Sequence, residues 1–523
     1  MKNKKQHLSE NEARDLHEQA LVIDTQQPPA TSGFIFTEKM KLELLEMEKL
    51  GYNRQEASSA LTKVAEQEIR TSASARAQYL GLWKRSGVNI ASGTYSAGTA
   101  IENAFMTATE GIAQARSYID ALDGELKLIL NSKDIEEVYN SGKRGLIIDF
   151  QDTLPFGTDL NKIEYFYNLG LRVVQLTYNL RNLVGDGCTE KYKSGLSYFG
   201  RTVVEKLNEM KMAVDVSHCS QQVGWDALEI SSSPIIITHS SSNAICYHDR
   251  GKDDDLAKAV ANKGGFFGVA IVPGFLQDNG SIATLDDFAK HITHLVNIMG
   301  IEHVGIGSDI CGNGPETGVV FDEEFPKSMP RQIEYYRENP DKFNWSGFRE
   351  EHRLTPNYRI DGFNNFGDWP NLTVKLAEKG FNEEELRKLI TKFKLNTQVT
   401  FTGYQDNIPK LLNSIDLIVQ PSLTDAGPLV PLESMSCGTP VIATNVGGNP
   451  EEVVHGYTGL VIPMNNPDFL GQSIINLIDD PYLRLKMRNN GRKWVKTKFD
   501  SQLLTGTIES IYDELLQNNT LGR

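Results

Sequence analysis

Between residues 21 and 309 the chain alternates short apolar runs with longer amphipathic stretches. The runs cover residues 21–24, 88–94, 145–150, 173–178, 213–218, 234–240, 264–271 and 303–309. Each is rich in Val and Ile and bounded by Gly, Asn, Asp or Ser, as in strands buried on both faces of a parallel sheet. Helix-like stretches lie between them. One spans residues 201–212, and another, residues 285–299, is opened by Thr284 as N-cap with acids in its first turn. Eight strands with crossovers in under about 300 residues is the arithmetic of a (β/α)8 TIM barrel. A doubly wound open sheet is the competing architecture on periodicity alone.

The polar residues favour the barrel. Run after run ends, on its C-terminal side, in a group able to ligate a metal or move a proton: Asp149 with Gln151, Tyr178, His218, His239 and Asp309. Barrels assemble their active sites from those strand ends. A long stretch rich in Asn, Gly, Pro and aromatics, residues 310–369, then reads as a lid or binding loop. A helix pair over 371–379 and 382–392 closes the barrel, which sets a first domain at 1–390 and a second at 391–523.

The runs Ala-Val-Asp-Val-Ser-His-Cys-Ser, containing His218, and Ile-Ile-Ile-Thr-His-Ser-Ser-Ser, containing His239, resemble the two metal-binding strands of renal (membrane) dipeptidases. His-Asp-Arg-Gly-Lys-Asp-Asp-Asp-Leu places Arg250 where that family holds the substrate carboxylate. His-Val-Gly-Ile-Gly-Ser-Asp places Asp309 where it handles the proton at the scissile nitrogen, and Leu-Gly-Leu-Arg-Val-Val-Gln-Leu-Thr-Tyr resembles its fourth strand. The resemblance runs over about residues 16–390. It implies a barrel of the metallo-dependent hydrolase type, a zinc cofactor and a small dipeptide or amino-acid-derived substrate. Neutral imidazoles suit zinc, which supplies both a hydroxide and oxyanion stabilisation.

The departures are specific. The family's first strand carries His-x-Asp, both metal ligands, where this chain has Gln26 and Pro28. Its bridging Glu falls on Gln151, with Asp149 two residues earlier on the same strand face, and Tyr178 replaces a His that assists the oxyanion. The expectation is a reduced site with one zinc per chain, on His218, His239 and Asp149 or Gln151, with Asp309 and Tyr178 as catalytic groups and Arg250 as the carboxylate fork. Two readings stand: a mononuclear hydrolase of dipeptides or small amides, and a degenerate, non-hydrolytic enzyme or binding protein for an amino-acid-derived metabolite. His291 and His294 read as helix-packing residues, Cys219 as a small buried hydrophobe, and Cys188 as a loop residue near the mouth.

Beyond residue 398 the chain reads Val-Thr-Phe-Thr-Gly-Tyr, then a segment from Asp425 through Glu433 to Val-Gly-Gly, then Thr-Gly-Leu-Val-Ile-Pro. This resembles the nucleotide-sugar lobe of family 4 glycosyltransferases, up to about residue 516. Glu433 stands where the family bonds the ribose, and Asp425 replaces the acid eight positions before it. The opening strand and helix of that lobe, with its diphosphate-neutralising cations, are missing, so the segment reads as an incomplete Rossmann-like lobe. Its uncovered sheet edge predicts pairing with the barrel or with a second copy of the chain as a homodimer. Glycosyltransferase activity is the further alternative.

Composition changes this picture little. Of 523 residues 53 are Lys or Arg and 68 Asp or Glu, a net charge of -15 spread along the chain without a basic block, which argues against nucleic acid. Five unpaired-looking cysteines (Cys188, Cys219, Cys246, Cys311, Cys437) suit a reducing, cytoplasmic setting. No apolar run approaches a membrane span, and the polar start lacks a secretion signal.

Overall fold

The computed structural model describes residues 8–26, 34–97, 102–279, 281–309, 325–344, 346–352, 360–390 and 407–520. The chain divides into two compact units, Met1–Leu395 and Asn396–Arg523.

Nine strands of the first unit form one parallel sheet. They are β1 (Ile23–Asp24), β2 (Ile90–Thr94), β3 (Leu126–Leu128), β4 (Arg144–Phe150), β5 (Leu171–Gln175), β6 (Ala213–Asp215), β7 (Ile236–Ser240), β8 (Phe266–Val269) and β9 (Val304–Ile306). Eight follow each other in the order β1-β2-β4-β5-β6-β7-β8-β9, with β3 lying on β4 off this path. The path closes on itself through the backbone: Thr25 N donates to Ile306 O at 3.2 Å and Asp309 N to Gln26 O at 2.7 Å. The expected eight-stranded barrel is present, with β3 as an extra strand.

The two-residue period of each strand separates the barrel interior from its helix-facing side. Ile23, Ile90, Ile147, Val173, Ile236 and Phe266, from six different strands, pack together as an apolar plug. Leu146, Ile148 and Phe150 join the outer core instead. Ile147, Asp149 and Gln151 therefore climb one face, from the plug toward the mouth. Higher in the barrel Thr25 Oγ1 donates to Thr238 O at 2.6 Å. A Cβ on Gly268 or Gly307 would stand 2.0 Å from that carbonyl, so only glycine lets the strands approach there.

The Leu285–Met299 helix has the expected bounds, capped reciprocally by Thr284 and Asp287. The helix expected at 201–212 is Tyr198–Glu209, three residues earlier, because Ser197 accepts from Gly200 N. Three helices, Glu38–Lys49, Arg54–Thr71 and Ala73–Arg85, fill the β1–β2 crossover. Part of the expected 310–369 loop is ordered into the Gln332–Glu338 helix and the turns Glu350–His352 and Phe366–Asp368. Residues 310–324 lie outside the described residues. The closing pair is Trp369–Glu378 and Glu383–Ile390; it starts two residues earlier than expected because Pro370 suits the first turn.

The second unit holds a parallel three-stranded sheet in the order β10 (Ile418–Gln420), β11 (Val441–Thr444), β12 (Gly459–Ile462). The stretch expected to open it, 399–404, lies outside the described residues. Among the described residues no helix is long and apolar enough to cross a membrane.

Candidate active site

The residues singled out by the sequence gather where the strands leave the barrel. His218 follows β6, His239 lies in β7, and their Nε2 atoms are 3.0 Å apart. The parity that sends Ile235 and Ile237 to the outer core would send His239 there too. The β7–β8 register slips between Ile237 and Ser240, and that irregularity re-aims the ring.

Their other nitrogens are fixed. Asn179 Nδ2 donates to Ser346 O at 2.7 Å, which turns Oδ1 toward His218 Nδ1 at 2.6 Å. An amide oxygen only accepts, so His218 carries its proton on Nδ1. Thr238 Oγ1 donates to Asp215 and lies 2.8 Å from His239 Nδ1, which therefore donates in turn. Asp215 also accepts from Ser217 N at 2.9 Å and Ser217 Oγ at 2.6 Å. Burial raises the Asp215 carboxyl, and these donors pull it back. Both Nε2 lone pairs are thus bare and face each other. Burial, then the Arg250 charge, holds both rings well below the usual histidine range, so they are neutral. Two facing lone pairs repel unless a cation lies between them. Imidazoles sharing one tetrahedral zinc at ~2.05 Å stand ~3.3 Å apart, close to the spacing here. The pair fits a single divalent ion.

Asp149 does not complete that pair into a cluster. Its oxygens accept from Ser92 Oγ at 2.7 Å and Thr94 Oγ1 at 2.8 Å. Burial pushes its carboxyl up to about 7, opposed by those hydroxyls and reinforced by the Asp215 and Asp309 charges. Gln151 Nε2 donates to Thr94 Oγ1 at 3.0 Å, and Gln26 Nε2 to the same hydroxyl at 2.7 Å. An amide–hydroxyl network thus stands where the family has its first-site ligands; Pro28 lies outside the described residues. Among the described residues no three His, Cys, Asp or Glu side chains gather to hold a metal.

Tyr178 stacks on His218, centroids 4.3 Å apart and planes 23° from parallel. Asp309, partly exposed but deep in the throat, adopts φ 56°. Burial pushes its carboxyl up to about 7, with Arg250 opposing and Asp24 adding. Arg250, expected as the fork for a substrate carboxylate, is enclosed by protein. It is fully buried, with Nη1 on Ser217 O at 2.6 Å, Nη2 on His239 O at 3.1 Å, and its guanidinium 5.5 Å from the Phe275 ring. Its terminal nitrogens brace the two histidine-bearing turns.

Cys188 lies in a turn and is buried; its Sγ is 3.2 Å from Asn179 Oδ1, and burial raises the thiol. Cys219 is buried as well. His291 bonds Ser242 N and Leu276 O, and His294 pairs with Asp254 at 2.8 Å, both away from the histidine pair. Asn179, Thr238, Asp215 and Phe275 escaped the sequence reading. Only the position of Asn179, directly after Tyr178, hinted at a place at the mouth.

A profile of the membrane dipeptidases, peptidase family M19, matches residues 11–320. One of the glycosyl transferases group 1 matches residues 363–494. An uncharacterised dipeptidase of Schizosaccharomyces pombe is 31% identical over 236 residues, 43% of this chain and 56% of that protein. Dipeptidase tcpJ of Claviceps purpurea is 28% identical over 216 residues, 41% of this chain and 51% of that one. The chain thus spans about half the length of these curated relatives. An amidohydrolase from Pseudomonas aeruginosa shares the fold at a TM-score of 0.52 and 24% identity, over 73% of this chain and 96% of its own. With the first profile covering well over half of its residues, the chain belongs to the membrane dipeptidase family.

Proposed function

We propose that the barrel is a metal-dependent dipeptidase acting on a dipeptide or small amide of an amino-acid derivative through one zinc ion. The observation that carries this reading is the approach of His218 Nε2 and His239 Nε2 to 3.0 Å while Asn179 Oδ1 and Thr238 Oγ1 engage their Nδ1 atoms. His218 and His239 hold the ion, and Asn179 and Thr238 fix their tautomers. When bound, the ion supplies Lewis acidity to the scissile carbonyl and the attacking water.

The other residues do the rest. Asp309, with a carboxyl near 7, takes the proton of the attacking water and returns it to the leaving nitrogen. The Tyr178 hydroxyl, on a ring stacked against His218, offers a hydrogen bond to the oxygen that gains charge. Arg250 acts as a buried positive charge behind the histidines, drawing in the substrate carboxylate without an exposed fork. The unpaired cysteines suit a reducing compartment, the cytoplasm.

Metal analysis of the purified chain tests this. One zinc per chain, lost in His218→Ala, is expected. Two per chain would overturn the single-metal reading, and none in a folded protein would overturn the hydrolase.

The Gln26–Thr94–Gln151 network favours a second reading, a non-hydrolytic binder of an amino-acid-derived metabolite. It predicts ligand binding without turnover in the zinc-loaded chain.

A further inference from the structure

A cavity of about 690 Å³ lies at the end of the barrel away from the histidines, where β2 and β4 begin. Arg14, Glu18, Lys84, Arg85, Tyr139 and Arg144 are among its lining residues. Four cations against one acid is a strong local inversion on a chain of net charge -15. The volume suits a small-molecule ligand, for which about 300–1,000 Å³ is usual.

Arg14, Lys84 and Arg144 are only partly engaged by the fold, Arg14 Nη2 also donating to Asn371 Oδ1 at 3.0 Å. Lys84 and Arg85 sit in the last turn of Ala73–Arg85, where they offset the helix dipole. Lys84 meets Glu125 at 3.0 Å and Arg14 meets Glu10 at 2.9 Å, both between largely solvent-exposed side chains, where such pairs contribute little. Arg144 opens β4 and has neither duty. Its Nη1 reaches Lys143 O at 3.3 Å, its Nε is buried with no acceptor, and it forms no ion pair among the described residues. Glu125, the acid whose charge acts on Arg144, is already paired with Lys84, so this half-buried guanidinium with an idle N–H still gains from an anion. Arginine presents a planar fork that matches phosphate oxygens.

We propose that this cavity binds a small phosphate-bearing anion held by Arg144, Arg14 and Lys84, on the opposite face of the barrel from the active site. The ligand ties the Glu10–Gln19 helix, the Ala73–Arg85 helix and β4 together, and stabilises the folded barrel by mass action.

The test is calorimetric titration of the full chain with inorganic pyrophosphate, at fixed ionic strength and with a chelator present to strip metal from the histidine pair. Saturable binding is expected, weakened about tenfold or more by Arg144→Gln and by Lys84→Gln, on the scale of losing one charged hydrogen bond. Lys84 is solvent-exposed, so its variant keeps the test open if Arg144→Gln does not fold. A rise in thermal midpoint with pyrophosphate, absent in Lys84→Gln, is the second readout. Absence of saturable binding, an equal response to chloride at matched ionic strength, or undiminished binding in Lys84→Gln would each overturn the proposal.

Discussion

Trp369 Nε1 donates to Asp24 Oδ2 at 2.9 Å, joining the first strand to a helix 345 residues later. Ser308, just past β9, donates its N–H to the same carboxylate at 2.8 Å. Burial pushes the Asp24 carboxyl up to about 6 while Ser308, Trp369 and Gln26 hold it down. The start, the end and the closing helix of the barrel thus meet on one side chain. The glycosyltransferase match begins at residue 363, so it includes that helix, yet the helix pair packs on β9 and on Leu285–Met299. A chain ending after residue 395 should therefore unfold cooperatively, like the barrel of the full chain. A chain ending at 362 loses buried Trp369, Leu372, Leu386 and Leu389, each contributing about 1.5–3 kcal/mol, and should not fold. Urea titrations of the two truncations decide it, and a cooperative transition in the shorter one would refute the assignment.

The tautomer lock on the histidines makes a separate prediction. Asn179→Leu removes the acceptor of His218 Nδ1 and frees the ring to carry its proton on the metal-facing nitrogen. Zinc affinity should fall by about 10–100-fold, the usual scale for losing such a partner. Competition with a chromophoric chelator measures it. Unchanged affinity would show that Asn179 does not set the tautomer.

Much of the barrel was legible because its strands are buried on both faces and bounded by turn residues. The strand ends named Asp149, Tyr178, His218, His239 and Asp309 for the same reason. What escaped depends on contacts across sequence. The β7 slip that re-aims His239 leaves no trace in its apolar run. The burial of Arg250 follows from Ser217 and His239 carbonyls and from Phe275, none of which its motif predicts. The hydroxyls of Ser92 and Thr94 that bond the Asp149 oxygens come from the neighbouring strand, a partnership its own run does not announce.

Asp309 allows a clean test of proton transfer. Its φ of 56° is left-handed, a conformation Asn tolerates as well as Asp, so Asp309→Asn should fold normally. An amide cannot take a proton at neutral pH, so turnover should drop by at least the ~10²–10⁴-fold typical of general acid–base groups, with zinc content unchanged. Loss of metal in this variant would make Asp309 a ligand instead.

His17 predicts acid sensitivity far from the mouth. It is fully buried, with Nδ1 2.8 Å from Thr373 Oγ1 and Nε2 2.9 Å from Ser86 O. Burial lowers it from 6.5 to about 4, despite the Ser86 bond. The unfolded chain therefore takes up this proton first as pH falls. The contribution of the neutral ring is complete above about 6.5 and is lost on acidification toward 4, up to about 3 kcal/mol at 1.36 kcal/mol per unit. His291, also lowered to about 4, acts in the same direction. In His17→Gln the loss of stability across this window should be shallower than in the parent. Equal slopes would mean that His17 is not the sensor.

The second unit should not bind nucleotide sugars. Glu433 is exposed on the Leu429–Cys437 helix, but the Asp425 carboxylate accepts from Gln420 at 3.0 Å. The Asp425 backbone is pressed against the Gly447 turn, where a Cβ would lie 1.5 Å from its carbonyl. Two cations are spent on the end of that helix: Arg488 Nε bonds Gly438 O at 2.8 Å and Arg492 Nη2 bonds Cys437 O at 2.7 Å. They serve the carbonyl end of the helix, where positive charge is favourable, rather than the amino end where a diphosphate would sit. Titration with uridine and guanosine diphosphate sugars should therefore give no saturable heat. Saturable binding that disappears in Glu433→Ala would show that the ribose-binding acid still works, and that the chain carries a second, nucleotide-dependent function.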